Sequence, residues 1–243
     1  MKRYISILMY HRVGDFKAIK EHRALYCKSK RFALQMWFLS FFKYNVISLT
    51  QALNLISSQQ PIPRRCVVLT FDDGYSDFYK NAYPILKKYK FPATVYVLSE
   101  LIGKRAVWFE KENRETPYML TKEELLELCS NNIEIGSHGK THVNLNEVPL
   151  DKAEEEIMES KVKLEKLLNQ KVLHFCYPYG KFNQNVIKLV KKAGYVSAVT
   201  CIRGGVTKMS DPYILPRKAI SFGDSLIGFL WKIHIKNKLK VKQ

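Results

Sequence analysis

Between Val67 and Tyr75 the chain reads Val-Val-Leu-Thr-Phe-Asp-Asp-Gly-Tyr. Val67 to Phe71 is an apolar, β-branched run of the kind that forms a buried strand, and Gly74 lets the chain turn off its end. Neither explains Asp72 and Asp73. Side chains alternate along a strand, so two neighbouring carboxylates share a pocket only where the strand breaks, as at a glycine. Two like charges so close cost free energy unless a cation or a shared proton relieves them. A bare Asp-Asp-Gly is also satisfied by a turn whose carboxylates cap backbone amides.

A second cluster gives the pair a chemical context. Ile135-Gly136-Ser137-His138-Gly139-Lys140-Thr141-His142 sets two histidines four residues apart behind a short apolar run, a spacing that suits two ligands on one ion. A carboxylate with two imidazoles makes a borderline N/O site with room for water and substrate, which is the pattern of a catalytic metal.

The 243 residues are expected to form one domain, and 47% hydrophobic with 26% charged residues is ordinary for a globular protein. Cys27, Cys66, Cys129, Cys176 and Cys201 are scattered and odd in number, which suits buried thiols in a reducing compartment. Met1 to Tyr10 has a short apolar stretch, Ser6 inside it and no small-residue cleavage site, so it is expected to be a first strand rather than a signal peptide. A cytoplasmic location is the resulting expectation. The net charge of +18 implies an anionic partner and leaves nucleic acid, a membrane surface and a phosphorylated substrate level.

Strand and helix patterns alternate along the chain. Tyr4–Tyr10 reads as a strand that His11-Arg12-Val13-Gly14 leaves, residues 15–30 as a loop, and Arg31–Tyr44 as a helix. Val46–Leu49 is a short strand, and Thr50 is the expected cap of a helix through Ser57. Asn81–Tyr89 has helical spacing, Ala93–Leu98 is strand-like, and residues 99–120 have no period. Thr121 and Glu124 form a capping box for a helix reaching about Asn131. Ile133–Gly136 is the strand that delivers the histidines, and Asp151–Asn169 is a long amphipathic helix. Val172–Tyr177, Val196–Thr200 and Tyr213–Leu215 are expected strands, with a helix from Asn183 to Gly194 among them. This alternation argues for a parallel α/β sheet or barrel in a single domain.

Thr-Phe-Asp-Asp-Gly, Ser-His-Gly-Lys-Thr-His and Tyr-Pro-Tyr-Gly, in that order, resemble the polysaccharide deacetylase family, with its NodB-homology domain, over residues 4–220. The resemblance implies a distorted (β/α) barrel, usually short of eight strands, with its site at the C-terminal strand ends. It implies that Asp73, His138 and His142 hold a divalent metal, with Zn2+ the best match and Ni2+ or Co2+ compatible. Asp72 then matches the general base, and Tyr179 the position whose backbone N–H faces the developing oxyanion. Two features depart from the common pattern: Phe175-Cys176-Tyr177-Pro178 holds no arginine, and the only late histidine, His234, lies in a basic tail. The chain is more similar to the branch acting on poly-N-acetylglucosamine-type polymers, where an early Tyr-His supplies the acid, and Tyr10-His11 fits. Arg217 would replace the missing arginine and orient Asp72, or is a solvated surface charge. Tyr75, Trp108 and Tyr177 are candidates for a sugar-stacking wall or for core packing.

The function implied is metal-dependent removal of N-acetyl groups from a poly- or oligosaccharide, whose sugar is free or lipid-linked. A catalytically inactive carbohydrate-binding protein on the same fold is the alternative. Specific nucleic-acid binding rests on charge alone, since no helix-turn-helix, zinc-finger or RNP signature is present. Residues 1–224 are expected to hold the catalytic domain, with an apolar, lysine-rich helix and tail over residues 225–243. That segment reads either as a last barrel helix or as an anchor on the anionic inner face of a membrane.

Overall fold

The computed structural model describes residues 3–17, 19–106, 109 and 116–240. Seven parallel strands close into a barrel. They are β1 (Ile5–Tyr10), β5 (Cys66–Phe71), β6 (Ala93–Val97), β7 (Ile133–Ser137), β8 (His174–Cys176), β9 (Ser197–Arg203) and β10 (Leu215–Ala219). Neighbours follow the order β1-β10-β9-β8-β7-β6-β5, and β5 returns to β1 along its full length, from Ile5 beside Cys66 to Tyr10 beside Phe71. The two-residue β4 (Asn45–Val46) extends the start of β5, and β2 (Arg12–Gly14) pairs with β3 (Tyr26–Lys28) as a separate ribbon.

Each barrel strand is buried on both faces, which is why Val67–Phe71 reads as a continuous apolar run rather than an alternating one. Ile5, Ile7, Val68, Tyr96, Cys176, Val199 and Leu215 pack in one cluster inside the barrel, with Leu49 and Ala52 beside them. Leu8, Tyr10, Val67, Leu69, Val95 and Phe175 meet the surrounding helices in the larger outer cluster. Those helices are α1 (Ser29–Phe41), α2 (Leu49–Ser57), α3 (Tyr83–Tyr89), α4 (Lys122–Cys129), α5 (Leu150–Leu168), α6 (Gln184–Lys192) and α7 (Leu226–His234). The Thr121/Glu124 capping box opens α4 as expected, and Asn183 caps α6. Phe229 and Ile233 of α7 are buried, so the inner face of the last helix belongs to the core.

Four local expectations are corrected. Residues 15–30 are not all loop, because Tyr26–Lys28 pairs with the chain leaving β1. The cap of α2 is Ser48, whose hydroxyl accepts from Gln51 N, while the Thr50 N–H donates to Glu134. The helix expected over Asn81–Tyr89 starts earlier, as a π-helical turn over Phe78–Ala82, and Pro84 stands in the first turn of α3. Residues 212–214 form a 3-10 turn, and the strand expected there runs instead from Leu215 to Ala219. Arg217 therefore sits within a strand and not beyond one.

Candidate active site

All seven barrel strands point their C-terminal ends to one rim, and the motif residues leave three of them there. His11 follows β1, Asp72 and Asp73 follow β5, and His138 follows β7. The carboxylate pair is possible because the backbone leaves extended geometry at once: Asp73 has φ +72° and Gly74 +79°. Gly74 is required there, since a Cβ would come within 2.8 Å of Val97 Cγ1 on β6. His142 (φ +67°) and Tyr179 (φ +58°) also adopt left-handed backbone. Such conformations cost about 1–3 kcal/mol each, and they collect where a surrounding scaffold fixes side-chain direction.

Asp73 Oδ1 lies 3.3 Å from His138 Nε2 and 3.5 Å from His142 Nε2, with all three residues largely buried. His138 Nδ1 is 2.7 Å from the Cys176 carbonyl. A carbonyl only accepts, so Nδ1 bears a hydrogen and Nε2 is the nitrogen turned to Asp73, the one that could bind a metal. Burial pushes His142 down to about 4, which keeps that ring neutral. Burial opposes a charged His138 as well, but Cys176 and Asp73 outweigh it and the net shift is upward. Two imidazole nitrogens and one carboxylate oxygen converging this closely fit a divalent cation. Asp72, His138 and Cys176 also converge, but Asp72 and the Cys176 thiol are already engaged by Arg217.

Arg217 is 1% exposed and forms the bidentate pair with Asp72, at 2.6 and 2.7 Å. Its remaining donors reach the Thr200 carbonyl and Thr70 Oγ1. The surface-charge reading of Arg217 is thereby excluded. Burial alone would raise the Asp72 pKa, but the Arg217 charge and hydrogen bonds reverse this and hold the carboxyl below its usual range. His11 Nε2 stands 3.8 Å from Asp72 Oδ2, and His11 Nδ1 has no hydrogen-bond partner among the described residues. The Tyr179 ring lies against His142 at 4.5 Å and is half exposed at the rim.

The stacking wall is not formed as expected. Tyr75 and Tyr177 are each 1% exposed and present no ring face to a ligand. Tyr75 packs edge-on against Phe109 beneath the segment that returns through Met119, and Tyr177 stacks on Phe182 while its hydroxyl donates to the Tyr213 carbonyl. Trp108 lies outside the described residues.

Three supports were not foreseen. Buried Glu156 accepts from the N–H groups of Lys140 and Thr141 and from the Thr141 hydroxyl, holding the loop between the two histidines. Its only trace in the sequence is its register, on the same α5 stripe as Ala153, Ile157, Ser160 and Leu164. Arg12, beside His11, is paired with Asp77 at 2.7 Å and lies over Phe16, Tyr26, Tyr75 and Phe109. The Cys176 carbonyl, which orients His138, leaves no side-chain signal at all.

The polysaccharide deacetylase profile matches residues 59–198, more than half of the chain. The chain belongs to the polysaccharide deacetylase family. Among curated relatives, YxkH of Bacillus subtilis (strain 168), which bears a polysaccharide deacetylase name, is 30% identical over 225 residues, covering 93% of this chain and 74% of that protein. The poly-beta-1,6-N-acetyl-D-glucosamine N-deacetylase of Staphylococcus aureus (strain MRSA252) is 30% identical over 233 residues, covering 88% and 78%. Among solved structures, the Streptococcus pyogenes deacetylase PplD in complex with acetate superposes with a TM-score of 0.82 at 26% identity, covering 96% of this chain and all of that one. In this member of the family Asp72, Asp73, His11, His138 and His142 meet on one rim of the barrel.

Proposed function

We propose that the protein is a metal-dependent N-deacetylase that hydrolyses N-acetyl groups on an N-acetylated glycan and releases acetate. The observation that carries the reading is the convergence of Asp73 Oδ1, His138 Nε2 and His142 Nε2 beside a second carboxylate that is not part of that donor set. Asp73, His138 and His142 would hold the ion, Zn2+ being the natural match, with Ni2+ or Co2+ also compatible with the donors. When bound, the ion supplies Lewis acidity toward water and toward the amide carbonyl.

The chain's own residues divide the remaining work. Asp72 takes the proton of the attacking water as general base, and the two Arg217 hydrogen bonds keep it ionised and fixed in orientation. His11, across the carboxylate from that clamp, gives a proton to the departing amine. The Tyr179 backbone N–H faces the oxyanion that develops on the acetyl carbonyl. Two relatives support the substrate class: the S. aureus one is named for deacetylating a poly-N-acetylglucosamine, and the S. pyogenes structure holds acetate.

Incubation of metal-loaded protein with N-acetylglucosamine oligomers tests the proposal. The expected result is free acetate with a mass loss of about 42 Da per sugar converted, and a stoichiometric divalent ion by elemental analysis. Ion binding with no acetate released from any acetylated glycan would instead favour a binding protein on this fold.

A further inference from the structure

The chain's positive charge is unevenly placed. No Asp or Glu occurs between Glu21 and Asp72, or after Asp224. Those two stretches contain seven and five Lys or Arg residues, and so account for twelve of the eighteen net positive charges. The fold brings them together. Helices α1 and α7 are neighbours on the outside of the barrel, joined by Arg31 to the Phe222 carbonyl and by the Tyr44 hydroxyl to His234 Nε2 at 2.7 Å.

Both helices turn apolar residues outward as well as inward. On α1, Phe32, Met36 and Leu39 are buried, yet Leu34, Trp37 and Phe41 form a second, exposed stripe, with Phe42 just beyond. Trp37 stacks on Phe41, and Phe41 meets Phe42 edge-on, so the aromatic rings cluster in solvent. On α7, Phe229 and Ile233 face the core, whereas Ile227, Trp231 and Ile235, four residues apart, are 79%, 52% and 56% exposed. Leu239 follows at 70%. Exposed Lys30, Lys43, Lys238 and Lys240 border these residues, and Arg3, Arg64 and Arg65 line the adjoining cleft at the starts of β1 and β5.

We infer that this face docks on an anionic lipid bilayer. Isolated exposed apolar residues are ordinary, but two adjacent helices carrying outward tryptophan, phenylalanine and isoleucine within a cationic border, where Asp224 is the one acid and is paired with Lys232, match a surface that enters the headgroup region. Tryptophan and phenylalanine favour that boundary, and the lysines and arginines meet the lipid charge. No helix among the described residues is long and apolar enough to cross a membrane, and the contact inferred is made by the outer faces of α1 and α7. Helices of a parallel barrel run back from the C-terminal strand ends, so Trp37, Phe41, Ile235 and Leu239 lie toward the end opposite the metal-ligand rim. Docked this way, the protein holds its rim away from the lipid and open to a polymer. The inference does not depend on the reaction proposed for that rim.

Co-sedimentation of the full chain with phosphatidylcholine vesicles, with and without phosphatidylglycerol, tests it. Binding is expected only with phosphatidylglycerol, and it should weaken at high salt. The triple variant Lys30→Glu/Lys43→Glu/Lys238→Glu should bind roughly a hundredfold more weakly. Ile227→Ser/Phe41→Ser/Trp231→Ser should lose binding while keeping its melting temperature within a few degrees, and Val162→Ser, exposed on α5, should bind as the unaltered protein does. Absence of binding to phosphatidylglycerol vesicles at low salt, or unchanged binding by the folded apolar variant, overturns the inference. A dimer in sedimentation velocity that the apolar variant disperses, without vesicle binding, overturns it too and assigns the face to a second copy of the chain.

Discussion

The barrel carries a histidine–carboxylate cluster at each end, and the two are built for opposite purposes. At the N-terminal ends of the strands, Glu134 accepts from the Leu49 and Thr50 N–H groups at the start of α2 and from the Thr94 hydroxyl. His174 beside it has Nδ1 on Ser197 Oγ and Nε2 on Thr50 Oγ1, both at 2.9 Å. Every polar atom of that pair is taken. At the C-terminal ends, His138 spends one nitrogen on a carbonyl and keeps the other for Asp73, while the backbone at Asp73, His142 and Tyr179 is left-handed. The same residue types therefore make a structural joint where all partners are supplied. At the other end the two imidazoles instead converge on one carboxylate oxygen, the donor set that the proposed metal would use.

Substitutions at the two ends should separate accordingly. The largest effect belongs to the rim. Asp72→Asn is expected to lower turnover by roughly 10²–10⁴-fold while elemental analysis finds the metal retained. Asp73→Asn should lose both metal and turnover, and equal metal loss in the two variants would merge the carboxylates into one ligand set.

Arg217→Met comes next, and its signature is in stability. Leaving Asp72 buried without its partner should cost about 3–5 kcal/mol by urea unfolding at neutral pH. The sign with pH is also set. The folded Asp72 pKa is depressed, so its contribution is full above the unfolded value of about 3.9 and is lost as pH falls through the lower folded value. In Arg217→Met only His11 and His138 are left to oppose burial, so the pKa should rise and acid should relieve the defect rather than add to it.

At the opposite end, Glu134→Gln should cost about 1–3 kcal/mol and leave metal content unchanged, because it disturbs only the hydrogen bonds from α2 and the Thr94 hydroxyl and the contact with His174. Burial pushes His174 down to about 4, so the unfolded chain takes up its proton first. Stability should thus decline as pH falls from about 6.5 to about 4, and His174→Gln should flatten that limb. Loss of metal in Glu134→Gln would break the division between the two ends. The smallest effect is Ser48→Ala, about 1 kcal/mol in thermal unfolding with no change in acetate release.

The sequence was most legible where side chains alone determine the outcome. Buried parallel strands show as apolar runs, so most of the barrel and the strand ends bearing Asp72, Asp73 and His138 could be read directly. Short pieces set by long-range pairing could not, and β3 and the true extent of β10 were missed for that reason. Aromatic residues near the site gave a misleading signal. Tyr75 and Tyr177 have the composition of a sugar platform, but a ring's composition does not say which of its faces is already packed. Arg217 was visible only through an absence in the third motif, and the Cys176 carbonyl, being backbone, was not visible in any residue type.

The Asp72–Arg217 pair also has a history in time. Its members are 145 residues apart, and β1 cannot complete the ring until β10, the strand bearing Arg217, arrives. At roughly 5–20 residues per second, about 7–30 s separate the synthesis of the carboxylate from that of its partner. Through that interval β1 and β5 can associate, but Asp72 has only imidazoles such as His11 beside it and lacks the guanidinium that compensates its burial. A chain stalled before Arg217 is therefore one in which burying the end of β5 leaves a carboxylate without its main partner.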